Sequence, residues 1–361
     1  MQLGEVKRDC RHFRGYIPCK PHKKEGVTCP TCPHYDATKE RILIIKLGAR
    51  GDVLRTTPLL RKLKQEHPNS EITWLTHTPE FVPKSWVDNT ITFKLEHLVT
   101  LQAERFDLLI NLDKDHEACA LANLVSAKVK KGYILVNGKP APADNDAVHK
   151  FMTGIDDVRN NANTKNYVQE IFEMCGYTWG GEEYILAMPP TKLHLPSFGK
   201  PVIGLATGVG ARWKTRLWSV ASWIDLARKL QESGYAVMLL GGADEHDQNQ
   251  VIAEHSGATY LGHYSINDFV HIVNACDLVV TAVTMTMHIV LALKKQMVLF
   301  VNIFPKAEFE LYGLGTIIEP GVPCQGCFRN TCDIRFEGGK TCMELIPVSK
   351  VMDQVKMLRP I

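Results

Sequence analysis

Three short stretches of the chain set charged or hydroxyl side chains beside glycines at the ends of apolar runs. Glycines let the backbone approach a ligand closely, and helix-start amides favour anions. The first stretch, Ile42 to Pro58, carries Lys46, Gly48, Gly51 and Asp52. A carboxylate at such a turn suits a general base that takes a proton from a hydroxyl; it equally suits a helix N-cap. The second, Ala206 to Trp218, carries Thr207, Gly208, Gly210, Arg212, Lys214 and Arg216, two glycines and three cations that fit a diphosphate. A solvated basic loop is its plainer reading. The third, Asp277 to His288, holds Thr281, Thr284 and His288, and an isolated histidine there is more often structural than a ligand. Gly241-Gly242-Ala243-Asp244-Glu245 closes another apolar run with acids that can accept from a ribose or cap a first helical turn. Asp113-Lys114-Asp115 spells Asp-x-Asp, a pair able to hold a divalent cation, but its place after a strand of the first domain reads as a polar turn.

Cysteine supplies the other chemistry. Eight of the eleven cysteines fall in two groups, Cys10, Cys19, Cys29, Cys32 and Cys324, Cys327, Cys332, Cys342. The N-terminus has polar and charged residues where a signal peptide has its apolar stretch, so reduced thiols and metal ligation are expected rather than disulfides. Four thiolates from a short irregular segment close a tetrahedral site that holds zinc or iron in a structural role. The N-terminal group is interleaved with His12, His22, His34, Lys20, Lys23 and Lys24. A metal site with a structural or oligomer-forming role is the expectation, and an iron–sulfur cluster stays open as an alternative. An RNA-binding knuckle would need more stacking residues than Phe13, Tyr16 and Tyr35, and no nucleic-acid partner is expected. Cys119, Cys175 and Cys276 read as core thiols.

The elements that must position these residues follow a βαβ rhythm. Ile42–Lys46, Ile72–Thr76 and Leu108–Leu112 read as buried strands, with Leu54–Glu66 as a crossover helix. After a proline-rich linker at Pro189–Pro201, strands Val202–Ala206, Val237–Leu240, Leu278–Thr281 and Val298–Val301 alternate with helices near Ala221–Ser233, Ile266–Ala275 and Thr284–Ala292. Val348–Leu358 reads as an amphipathic helix returning to the first domain. The 361 residues, 45% hydrophobic, exceed one ordinary core. They divide into a cysteine-rich segment 1–38, Rossmann-like domains 39–195 and 196–320, a cysteine finger 321–345 and a C-terminal helix 346–361. A net charge of +3 argues against a partner bound by bulk charge. No apolar run is long enough to span a membrane, so the expected location is the cytosol, with or without contact to an inner membrane surface.

Taken in order, the three glycine-bearing motifs resemble glycosyltransferase family 9, the ADP-heptose:lipopolysaccharide heptosyltransferases, over about residues 41 to 320. The resemblance implies an α/β GT-B fold of two facing Rossmann-like domains. It also implies an inverting transfer without a catalytic metal, in which Asp52 is the acceptor's base. It places Lys46, Gly51, Thr207, Gly208, Lys214, Arg216, Glu245, Thr284 and His288 at the donor. Three positions depart from the pattern: Arg216 stands where relatives have the phosphate-binding lysine, a role Lys214 can share or take over, Val283 where they have aspartate, and Met285 where they have glycine. Asn302 to Gly313 followed by four cysteines resembles the bacterial autotransporter heptosyltransferase branch, whose members carry an iron-binding finger there. The partners so implied are a nucleotide sugar, ADP-heptose above others, a lipopolysaccharide-core or protein acceptor, and a second copy of the chain in a homo-oligomer. A non-catalytic nucleotide-sugar sensor is the rival, motivated by Val283 and Met285.

Overall fold

The computed structural model describes residues 1–361 and divides into two compact units. One comprises Met1–Gly48, Leu59–Val148 and Met174–Tyr177; the other Ala49–Pro58, His149–Glu173 and Thr178–Ile361. The first contains strands β1 (Glu40–Ile45), β2 (Ser70–Leu75), β3 (Asn89–Ile91), β4 (Arg105–Asn111), β5 (Ser126–Val136) and β6 (Lys139–Pro142). They lie in the order β3-β2-β1-β4-β5-β6, parallel except that β6 runs against β5. Ile42 stands beside Ile72 on one side and Leu108 on the other, so the apolar runs of the sequence become central strands.

The expected helix Leu54–Glu66 is instead two helices, Arg50–Thr56 and Leu59–Glu66. Pro58 has no N–H to continue the ladder, and the hydroxyls of Thr56 and Thr57 donate back to the carbonyls of Val53 at 2.9 Å and Leu54 at 2.7 Å. The break separates two compact units: Leu59–Glu66 buries Leu59, Leu60 and Leu63 in the first, while Arg50–Thr56 belongs to the second.

The second unit holds β7 (Val202–Ala206), β8 (Ala236–Leu240), β9 (Thr259–Tyr260), β10 (Leu278–Ala282), β11 (Gln296–Phe300) and β12 (Gly315–Ile318). All are parallel, in the order β12-β11-β10-β7-β8-β9. Successive connections reverse direction between β7 and β10, which opens a crevice at their carboxyl ends. Helix Val220–Glu232 starts at Ser219, whose hydroxyl accepts the Ser222 amide at 3.1 Å, and buries Trp223, Leu226, Ala227 and Leu230 along one stripe.

The C-terminal helix Val348–Leu358 forms where its periodicity places it, but it does not return to the first unit. Val351, Met352 and Val355 join the core made by Trp218, Trp223 and Phe300 in the second. Burying each such side chain contributes about 1.5–3 kcal/mol. Trp218 donates its indole N–H to the Ile346 carbonyl at 3.2 Å, and Arg359 pairs with Asp277 at 2.8 Å.

The first 38 residues form little regular structure. Helix Lys20–Glu25 ends at Gly26, whose φ of 70° is the left-handed geometry glycine tolerates. Cys10 bridges Ala37, and Arg11 ties the segment down by pairing with Asp36 at 2.9 Å, with Asp88, and with the Ser70 carbonyl at 3.0 Å.

Candidate active site

The carboxyl ends of β7, β8 and β10 surround a cavity of about 450 Å³. Gly208, Gly210 and Arg216 line it from the β7 side, Gly241 to Glu245 from β8, and Thr284 to Thr286 from β10. Tyr264 and Phe269 add aromatic surface and Arg50 a second cation. Two arginines, two acids, two rings and several glycine amides in one cavity make a place for an anion joined to a flat, hydroxyl-bearing group.

Each wall has a local cause. Glu245 accepts the Gly242 amide at 2.8 Å and lies across Gly208, where a Cβ would stand 2.1 Å from its Oε1. Gly208 has no positive φ to demand glycine; its missing Cβ instead leaves the room in which the Glu245 side chain lies. Thr284 caps helix Met285–Ala292 by accepting the Thr286 amide at 3.2 Å, which leaves the helix start at the cavity. Arg216 is buried and donates to the Val209 carbonyl at 2.8 Å; desolvation lowers its guanidinium to about 10, still cationic at neutral pH.

Helix Arg50–Thr56 carries Asp52 as its third residue, not its N-cap, which is Ala49. Its carboxylate takes the Ala49 amide at 3.4 Å, and its other oxygen meets Arg55 Nε at 2.9 Å, an ion contact without hydrogen-bond alignment. Arg55 also donates to Glu308 at 3.0 Å and lies 3.3 Å over the Tyr167 ring. These carboxylates and that ring hold its pKa up against burial. His288 sits behind this helix. Its ring faces Tyr184, whose hydroxyl is 3.2 Å from Nδ1, and burial assisted by Arg55 drops its pKa to about 3, so the imidazole is neutral.

The structure thus gathers Gly208, Arg216, Glu245 and Thr284 on one cavity, with Gly51 and His288 packed together beside it. Thr207 lies beneath, its hydroxyl donating to Asn249 at 2.6 Å. Neither Lys46 nor Lys214 is among the residues lining that cavity. Lys46 is buried in the first unit, its ammonium on Asp113 and on the Gly48 carbonyl, while Asp113 also accepts the Leu47 amide. Those contacts occupy the first carboxylate of the Asp-x-Asp pair and make it a clamp on the β1 turn. Lys214 begins a short 3-10 turn that lines the cavity of the C-terminal cysteines. Arg50, Tyr264 and Phe269 were not singled out from sequence. Arg50 lies inside the first motif, between Gly48 and Gly51, but was given no role there; the two aromatic residues follow β9 in a stretch with no motif to mark them.

The four C-terminal cysteines line a cavity of about 580 Å³, with Asn302 donating to Cys342 Sγ at 3.5 Å. The four N-terminal cysteines line another of about 590 Å³. All eleven cysteines are free thiols, and no three Cys, His, Asp or Glu side chains converge closely enough to hold a single ion. No helix is long and apolar enough to cross a membrane.

Two six-stranded, mainly parallel sheets, the second with a cavity at its switch point, define a two-domain α/β fold. Residues 95–332 match the profile of glycosyltransferase family 9 (heptosyltransferase), and the chain belongs to that family. Among solved structures, it is similar to a family 9 glycosyltransferase of Veillonella parvula, with a TM-score of 0.66 at 18% identity over 90% of this chain and 98% of that one. The E. coli heptosyltransferase WaaC, solved with ADP, aligns with a TM-score of 0.61 at 17% identity over 88% of this chain and 100% of that one. TibC of enterotoxigenic E. coli, an iron-containing dodecameric glycosyltransferase, aligns with a TM-score of 0.55 at 11% identity over 88% of this chain and 76% of that one. No curated protein matches the chain in sequence.

Proposed function

We propose that this glycosyltransferase moves a heptose or closely related sugar from an ADP-sugar to an acceptor hydroxyl, with inversion and without a catalytic metal. The observation that carries the reading is the convergence of Gly208, Arg216, Glu245 and Thr284 on one cavity. Glu245 accepts from the ribose, and Tyr264 and Phe269 flank the base. The amides at Gly208 to Gly210 and Thr284 to Thr286, with Arg216 and Arg50, take the diphosphate and its charge as the glycosidic bond breaks. Asp52 removes the acceptor's proton as its oxygen attacks the anomeric carbon, and Arg55 orients that carboxylate. The acceptor hydroxyl belongs to a lipopolysaccharide-core sugar or to a protein. Cys324, Cys327, Cys332 and Cys342, the residues resembling the iron-binding finger, hold a structural iron or zinc.

A non-catalytic sensor is the second reading, favoured by one observation: Met285, where family members have glycine, lines the cavity, and its neighbour Val283 is buried. Release of ADP from ADP-heptose, with lipopolysaccharide core and cell proteins as alternative acceptors, separates the two. Acceptor-dependent release lost in Asp52→Ala supports transfer; binding of ADP-heptose with no turnover for any acceptor supports the sensor.

A further inference from the structure

We infer that the C-terminal cysteine segment, residues 321–345, braces the donor cavity from behind, with Thr215 and Phe328 as positioning residues that hold Arg216 where a nucleoside diphosphate meets it. This rests on the reading of that cavity as the donor site, and it names the part of the chain that sets the grip on the diphosphate.

Arg216 is the group to be held. It is buried, lines the cavity, and donates to the carbonyls of Val209 at 2.8 Å and Trp213 at 3.4 Å, with no carboxylate among its partners. Carbonyl dipoles orient such a cation without neutralising it, so its charge is left for an anion in the cavity. The turn that carries it, Lys214–Arg216, is three residues of 3-10 helix with no side-chain cap. A single turn of this kind has little stability of its own, so its neighbours must fix it.

The polar support comes from one direction. The Thr215 hydroxyl donates to the Arg329 carbonyl at 2.7 Å, and the Thr215 carbonyl accepts from the side-chain amide of buried Asn302 at 2.9 Å. The same Asn302 nitrogen lies 3.5 Å from Cys342 Sγ, and the Asn302 carbonyl accepts the Gly326 amide at 2.9 Å. Side chain and backbone of Thr215 are thus fastened to the cysteine segment or to the residue that anchors it.

A second line of contacts is aromatic. Phe328 meets Phe304 edge-on, with centroids 5.5 Å apart, and Arg216 Cζ lies 5.8 Å from the Phe304 centroid. Phe304 also meets Trp213, at 5.8 Å, just before the turn. Phe328 reaches this place with φ at 51°, a left-handed backbone that a residue with a side chain keeps only where its surroundings impose it, and its amide donates to the Ile303 carbonyl at 3.0 Å. Glycine would adopt that backbone freely. The chain carries a ring there instead, packed on the ring that faces Arg216.

Calorimetric titration of the full chain with ADP tests the brace, using the wild type, Thr215→Val, Thr215→Ser, Phe328→Gly, Arg216→Gln and the double variant Thr215→Val with Arg216→Gln. Thr215→Val removes one hydroxyl at a half-buried position, and Phe328→Gly removes the ring while relaxing the backbone. Each is expected to raise the ADP dissociation constant by about fivefold, the effect of one lost hydrogen bond or ring contact. Thr215→Ser, which keeps the hydroxyl, should stay within about twofold of the wild type, and Thr215→Val should add less than about twofold in the Arg216→Gln background, because the brace acts through the guanidinium.

A general loosening of the fold would weaken binding equally in both backgrounds. Full additivity, or wild-type affinity in Thr215→Val, therefore overturns the brace and leaves the donor reading standing. A wild type that takes up no ADP overturns the donor reading and the brace with it. Since Phe328→Gly can also fail to fold, the Thr215 series decides alone.

Discussion

Gly51 packs directly against His288: a Cβ placed on Gly51 would stand 2.5 Å from the imidazole Cδ2 and 3.4 Å from the Met285 Cα. Two of the three sequence motifs meet there within the second unit. The imidazole cannot swing aside, because it is buried and faces Tyr184. Gly51→Ala is therefore expected to destabilise the fold by about 1–3 kcal/mol, the usual cost of overpacking. Urea unfolding checks it, and adding His288→Ala should return part of the loss through non-additivity. Simple additivity of the two substitutions would show that the contact is not what makes Gly51 necessary.

The neutral state of His288 carries a pH dependence. Its folded pKa, about 3, lies below the ordinary histidine value of 6.5, so between those limits the unfolded chain binds the extra proton. Stability attributable to this site is level above about pH 6.5 and falls with acidification at up to roughly 1.4 kcal/mol per pH unit. Comparing thermal unfolding of the wild type with His288→Gln between pH 7 and 5 isolates the site, since the amide does not titrate. The wild type should lose about 2 kcal/mol more over that interval; parallel curves would contradict the assignment.

How much of this was legible in the residues depended on whether the signal was local. The central strands β1, β2, β4, β7, β8, β10 and β11 announced themselves as apolar runs, because parallel strands are buried on both faces, and Val202–Ala206 forms with the expected limits; β3, β5, β6, β9 and β12, short or half-exposed, did not. The C-terminal helix was visible in its period, yet the surface receiving Val351 and Val355 was not, since periodicity names a buried stripe and not its partner. The Leu54–Glu66 helix failed at Pro58, a break that the proline itself signalled. At the site, Gly208, Arg216, Glu245 and Thr284 were legible because glycine turns after strands follow a rule. The inward turn of Lys46 was not, as it depends on Asp113, 67 positions away.

Gly208 makes a contrasting case to Gly51. The atoms its Cβ would strike belong to Glu245, a flexible chain open to the cavity. Gly208→Ala should therefore cost little stability, within about 1 kcal/mol, because Glu245 can turn away. What it should lose is the contact proposed between Glu245 and the ribose, raising the ADP dissociation constant by roughly tenfold, the worth of one or two hydrogen bonds. Calorimetric titration with ADP reads this directly. Unchanged affinity would remove Glu245 from the donor site.

Arg55 offers the sharpest separation of binding from chemistry. Its guanidinium spans two carboxylates, Asp52 at 2.9 Å and Glu308 at 3.0 Å, while lying over Tyr167. A lysine keeps the charge but not the planar fork, so Arg55→Lys cannot hold both acids at once or stack on the ring in the same way. Because Arg55 does not line the donor cavity, ADP affinity should be untouched. Turnover should fall by roughly 10- to 100-fold as Asp52 loses its fixed orientation towards the acceptor. Rates of ADP release at saturating donor, set beside equilibrium ADP binding, measure the two separately. A variant that weakens ADP binding in proportion to its loss of rate would mean that Arg55 supports the donor pocket rather than the base.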